Sequence, residues 1–220
     1  MHQDYILRMM QQISIFVTGV FRLRRDGELQ SAHETVLSGY GYLTGLPASL
    51  VHGLSAEDLL TMISARGGLP VDRCIGLAEL LREEGEILLA LGRDDEAWPR
   101  LVKSLRFYLE ALTAEPDLRA ADIPGLDEVV DLISWYPVED GTRQLLLPYL
   151  EATGQFDKLE NALAAWMETN DPDAARATLA TYLRLLALED AELIVGGLTR
   201  SEIEEACALL QRPVSRKVSD

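Results

Sequence analysis

Apolar residues along this chain recur at steps of three and four. In the first segment Ile6, Met9, Met10, Ile13, Phe16, Val17, Val20 and Phe21 follow that spacing, which paints one face of a helix from about Asp4 to Arg25. Asp4 offers an N-cap oxygen and Gly27 a left-handed stop. Ser55-Ala56-Glu57-Asp58 opens a short helix that Gly67-Gly68-Leu69-Pro70 ends. Asp72 to Leu91 reads as the next helix, closed by Gly92, and Asp94-Asp95-Glu96 starts another that runs to about Thr113 before Glu115-Pro116. Asp171-Pro172 is a cap with proline at the first helical position, and Thr199 with Glu202 fits a capping box. Pro99 and Pro148 fall inside helical patterns and each removes a backbone hydrogen bond. Ten or eleven helices with short connections result. No stretch alternates at period two for long enough to predict a strand.

The pattern predicts an all-α fold of antiparallel helical hairpins. Glycine turns at Gly27, Gly92 and Gly154 lie 65 and 62 residues apart, near twice the tetratricopeptide period of about 34 residues. The middle unit resembles a tetratricopeptide repeat. Gly85, Gly92 and Ala97 have that family's small-residue spacing, Leu101 stands at a bulky apolar position and Ser104 at a small one. Small residues let two helices approach closely. Leu81 departs from the pattern, standing where the family often has Trp, and Leu159 replaces the alanine of the third unit. The opening Asp4-Tyr5-Ile6-Leu7-Arg8-Met9-Met10-Gln11-Gln12 and the block Leu77-Ala78-Glu79-Leu80-Leu81-Arg82-Glu83-Glu84-Gly85 resemble a family of uncharacterised bacterial proteins of unknown function with tetratricopeptide-like architecture. That resemblance implies a fold and no activity. The expectation is one helical domain over residues 1–210, a short tetratricopeptide-like solenoid, with a disordered tail at 211–220.

Charge narrows the partners. The net charge is −16, a field that repels phosphate backbones and anionic lipid, so neither nucleic acid nor a membrane is expected. Residues 1–25 run against this, with Arg8, Arg22, Arg24 and Arg25 facing only Asp4. The first helix is therefore expected to rest on an acidic body, its own or that of a second copy. The nine-residue apolar run Ile13–Phe21 is too short to span a bilayer, and its basic residues follow it, the reverse of a secretory signal. Two cysteines, Cys74 and Cys207, form neither a disulfide framework nor a zinc pattern and suit a reducing cytoplasm.

The motifs of catalysis are missing. His2, His33 and His52 lie in separate segments, and His33 reads as a solvated residue of the second helix. There is no nucleophile elbow, phosphate loop or dinucleotide motif. Adjacent carboxylates such as Glu83-Glu84, Asp94-Asp95 and Glu204-Glu205 read as solvated surface. No catalytic residue, cofactor or metal ligand is assigned. Among the aromatics, Trp135-Tyr136-Pro137 at a helix end is the best candidate for an exposed site. These features lead to a non-enzymatic scaffold that holds a protein or peptide, favouring a basic segment. The alternatives are a homo-oligomeric structural protein, such as a homodimer, assembled through the N-terminal helix and, third, a small-ligand sensor or enzyme. Phe16, Val20 and Arg24 on the first helix, with Trp135 and Tyr136, are the candidate interaction residues.

Overall fold

The computed structural model describes residues 15–64, 69–115 and 117–211. Among them there is no strand. The α-helices are α1 (residues 15–25), α2 (Leu29–Gly39), α3 (Ala48–Gly53), α4 (Ala56–Ile63), α5 (Val71–Ala90), α6 (Asp94–Ala114), α7 (Pro124–Ile133), α8 (Asp140–Ala152), α9 (Phe156–Glu168), α10 (Ala174–Leu185), α11 (Asp190–Val195) and α12 (Arg200–Leu210). A π-helical turn covers Tyr40–Thr44, and a 3-10 turn covers Ala120–Asp122. The expected cap at Asp4, the stripe residues Ile6, Met9, Met10 and Ile13, the stop at Gly67-Gly68, Pro116 and the tail from Arg212 lie outside the described residues.

The turns show why the chain folds back where it does. Gly27, Gly92 and Gly154 all have positive φ, as does Gly197. Each closes a helix in the same way. The N–H of the next residue donates to a carbonyl five positions back: Glu28 to Leu23 at 2.9 Å, Arg93 to Leu88 at 2.8 Å, Gln155 to Leu150 at 3.0 Å and Leu198 to Leu193 at 3.0 Å. Glycine takes that left-handed position without steric cost, and the otherwise unpaired last carbonyls find partners. The helix starts follow their sequence signals too. Ser55 Oγ accepts the Asp58 N–H at 3.0 Å, and the Thr199–Glu202 capping box is complete. One start differs. Asp171 does not place Pro172 in the helix; its carboxylate accepts the Asp173 N–H and the Trp166 indole N–H, both at 2.9 Å. α10 therefore begins later, at Ala174.

The described residues gather into two compact units, one within residues 1–133 and 140–145, the other within 134–139 and 146–220. The first is built on the α5–α6 hairpin. A methyl group at Gly85 would lie 2.7 Å from Leu101 on α6, so the two helices meet at the bare glycine. Ala97, Leu101 and Ser104 are fully buried on that contact, and Ser104 Oγ donates to the Ala78 carbonyl at 2.7 Å. α2 and the π-turn pack on α5, while α4 and α7 pack on α6. α5 is thus covered on nearly every side. Leu77, Leu80, Leu81, Ile87 and Leu88 are fully buried along it, each worth about 1.5–3 kcal/mol. In the second unit α10 packs on both α9 and α12, and the Asp157 N–H at the start of α9 donates to the Gly196 carbonyl at 2.9 Å.

Candidate functional site

Two places combine withdrawn charge with defined geometry. The first lies in α5 of the first unit. Its apolar stripe passes through Leu80, Leu81, Ile87 and Leu88, and Glu84 falls on that same stripe, three or four residues from each. The side chains of Glu83 and Glu84 are only 2% exposed, so the expectation of a solvated carboxylate pair fails here. The cause is the cover over α5, which brings donors to both. The Tyr40 hydroxyl donates to Glu84 Oε2 from the start of the π-turn. His52 Nε2 lies 2.9 Å from the same oxygen, while Arg100 Nε at 3.3 Å and His33 Nε2 at 3.5 Å approach Oε1. Burial pushes the Glu84 carboxyl up. The hydrogen bonds from His52 and Tyr40 with the charges of His52 and Arg100 outweigh it and hold the group at about 2. His33 is therefore buried, not solvated. Lys103 Nζ donates to the Val51 and His52 carbonyls at 3.0 Å each, which caps the end of α3 and fixes His52 over Glu84.

Two residues before Glu84, Arg82 gathers carboxylates. It bonds Glu79, Glu83, Glu86 and Glu128 at 2.6–3.0 Å. The Tyr108 hydroxyl is buried against this group, where a methyl on Gly125 of α7 would come within 2.3 Å of it. Burial, reinforced by Glu79, pushes the Tyr108 phenol well above its ordinary value. Arg24 reaches the same group from α1, pairing with Glu86 and lying 3.4 Å from Glu83. Burial raises the Glu83 carboxyl, and the nearby Arg82 and Arg24 pull it back only in part. α1 thus docks on the acidic body of its own chain. Val20 is fully buried, and the half-buried Phe16 ring lies over Gly39, where a methyl would meet its Cζ at 2.5 Å. Ile15 and Phe21 stay exposed.

The second place is a groove of about 340 Å³ in the second unit, lined by Glu160, Asn161, Ala164 and Met167 of α9, Thr178 and Tyr182 of α10, and Ala206, Leu209 and Leu210 of α12. Steps of three and four put each set on one helix face. Met167 and Leu209 remain 40% and 62% exposed, an uncovered apolar rim. Deeper in, the Thr178 hydroxyl is buried without a hydrogen-bond partner. Tyr182 Oη lies 3.4 Å from Glu160. Burial raises the Glu160 carboxyl; the Tyr182 hydrogen bond lowers it, and the neighbouring Glu202 and Asp157 raise it further. Sequence reading missed this groove because Met167 and Leu209 look like ordinary core positions.

Trp135 is 54% exposed and stacks edge-on against Tyr136, centroids 6.0 Å apart. The other expected site residues are divided: Phe16, Val20 and Arg24 share the α1 docking face of the first unit, while Trp135 and Tyr136 lie in the second unit. Cys74 and Cys207 are free and buried. Among the described residues no group of His, Cys, Asp or Glu could hold a metal ion, and no helix is long and apolar enough to cross a membrane.

Fold and geometry define an all-α protein of helical hairpins, with one unit organised around buried ion pairs and the other carrying an apolar-rimmed groove with one carboxylate in its lining. The chain belongs to the family of unknown function DUF6483, whose model matches residues 1–214. No curated protein and no solved structure matches it.

Proposed function

We propose that this protein is a non-enzymatic scaffold that holds a protein or peptide partner in the groove between α9, α10 and α12. The observation that carries the reading is that Met167 and Leu209 stay exposed on the rim of a groove with an unpaired Thr178 hydroxyl inside it. Ligand sites are commonly concave, mostly apolar, and equipped with a few polar groups that fix orientation. Of the groups best suited to acid–base work, His52 is engaged with Glu84 at 2.9 Å, and the buried His33 faces the same carboxylate at 3.5 Å. The α5–α6 hairpin, read as a tetratricopeptide-like unit, then serves as the rigid part of the scaffold. Free, buried cysteines fit work in a reducing cytoplasm.

Selection from a displayed random-peptide library tests this. Peptides recovered on the wild-type protein should lose binding to Leu209→Asp and Met167→Asp. Selected peptides that bind both variants unchanged would place the interaction elsewhere.

A second reading, a homodimer through α1, is favoured by the exposed Ile15 and Phe21 on a helix whose other face is already docked. Its test is sedimentation equilibrium of the wild type and of Ile15→Asp. A wild type that is monomeric at micromolar concentration removes it.

A further inference from the structure

Among the described residues no cation pairs with Glu160, the carboxylate that lines the groove. The helical stretch 146–211 holds four basic side chains, Lys158, Arg176, Arg184 and Arg200. Each has a partner other than Glu160. Lys158 Nζ donates to Gln155 at 2.8 Å and Arg176 pairs with Asp173 at 2.8 Å. Arg184 forms a two-pronged pair with Glu151 at 2.7 and 2.8 Å. Arg200 pairs with Asp190 at 2.5 Å and donates to the Leu186 and Leu188 carbonyls. Glu160 has instead the Tyr182 hydroxyl on one side and the negative Asp157 and Glu202 nearby. A half-buried carboxylate with like charges nearby and no counter-charge is costly, and a cation arriving from outside relieves that cost.

The apolar half of the groove sets the rest of the ligand. Glu160 and Met167 stand seven residues apart on α9, about 10 Å along the helix axis. A helical partner covers that distance from one position to the seventh after it; an extended one covers it in three residues.

We propose that the groove recognises a basic peptide through two anchors: a lysine or arginine side chain paired with Glu160, and an aliphatic side chain about 10 Å away seated on Met167 and Leu209. The Thr178 hydroxyl supplies a further hydrogen-bonding group beneath them. This rests on the groove being the binding site and adds the identity of what it reads.

The test is fluorescence anisotropy with a labelled alanine-based peptide carrying lysine and leucine seven positions apart, beside its twin with norleucine for lysine. The lysine peptide binds saturably and the norleucine peptide binds about tenfold or more weakly, as loss of a charge-assisted pair requires. Glu160→Gln weakens the lysine peptide by a similar factor and leaves the norleucine peptide unchanged. Thermal unfolding of the variant, matching the wild type, excludes misfolding as the cause. Equal binding of both peptides, insensitive to Glu160→Gln and lost in Leu209→Asp, overturns the cationic anchor while the groove stands. Absence of saturable binding of the lysine peptide to the wild type overturns the inference, and the library selection then decides the groove itself.

Discussion

Glu84 on α5 and Glu160 on α9 are both carboxylates drawn out of bulk water, and their neighbours differ in sign. Around Glu84 stand Tyr40, His52 and Arg100, each a donor or a cation, with the His33 ring nitrogen 3.5 Å away. Around Glu160 stand Tyr182, Asp157 and Glu202, one donor and two like charges. The first carboxyl is held at about 2 and the second is raised. A buried charge whose bonds are complete contributes to folding. One left short of a counter-charge keeps its capacity for something else. That difference, rather than acidity itself, separates the structural site from the candidate binding site.

The largest expected effect comes from removing the satisfied carboxylate. Glu84→Ala strands Arg100 beside a void and leaves the Tyr40 hydroxyl and His52 without their acceptor. Breaking a buried pair from one side costs about 3–5 kcal/mol, read as a lowered urea midpoint. A cost below about 1 kcal/mol would make Glu84 an ordinary surface acid. Acid sharpens the point. The Glu84 pKa is depressed in the folded state from 4.5 to about 2, so its contribution is present above pH 4.5 and is lost as pH falls toward 2. The stability gap between wild type and Glu84→Gln should close over that window. Glu83, raised by burial, works in the opposite direction, since protonating it relieves the folded state.

Much of the fold was readable from local chemistry. Gly27, Gly92 and Gly154 mark turns because only one backbone conformation fits there, and Ser55 and Thr199 mark starts because their side chains bond nearby N–H groups. Gly197 repeats the motif unnoticed, since the short α11 before it carries little periodicity. Arg24 was readable as a cation on an acidic body; that the body is its own chain needed the structure. Glu83 and Glu84 were misread because adjacent acids are usually wet. The position of Glu84 between Leu80, Leu81, Ile87 and Leu88 was the available signal. What a carboxylate on an apolar stripe does depends on Tyr40, His52 and Arg100, which come from three other segments, and no spacing rule brings those together. The groove was hidden for the complementary reason. Whether Met167 and Leu209 are covered is decided by neighbours distant in sequence.

Gly85→Ala probes the first region without touching its charges. The added methyl would stand 2.7 Å from Leu101, so α6 must shift away from α5. Overpacking of this kind costs about 1–3 kcal/mol. Because Glu84 and Arg100 lie on those same two helices, the variant should also raise the Glu84 carboxyl pKa, seen by NMR titration of the side-chain carbon. A midpoint shift with Glu84 unmoved would mean that the hairpin contact and the charge cluster are independent.

The smallest effect expected on stability is also the one that tests the comparison most directly. In the folded protein the Glu160 carboxyl is raised above its ordinary value, so at neutral pH its charge opposes folding rather than supporting it. Glu160→Gln removes that charge and keeps the shape. It should leave the urea midpoint unchanged or raise it slightly, within about 0.5 kcal/mol, as for substitutions outside a bonded network. The Tyr182 hydroxyl, 3.4 Å away, loses only a weak contact and still finds an amide oxygen. If Glu160→Gln instead cost 1 kcal/mol or more, Glu160 would have a partner worth keeping, as Glu84 has. The second unit would then need the carboxylate for its own packing, and no surplus charge would remain there for a basic peptide to meet.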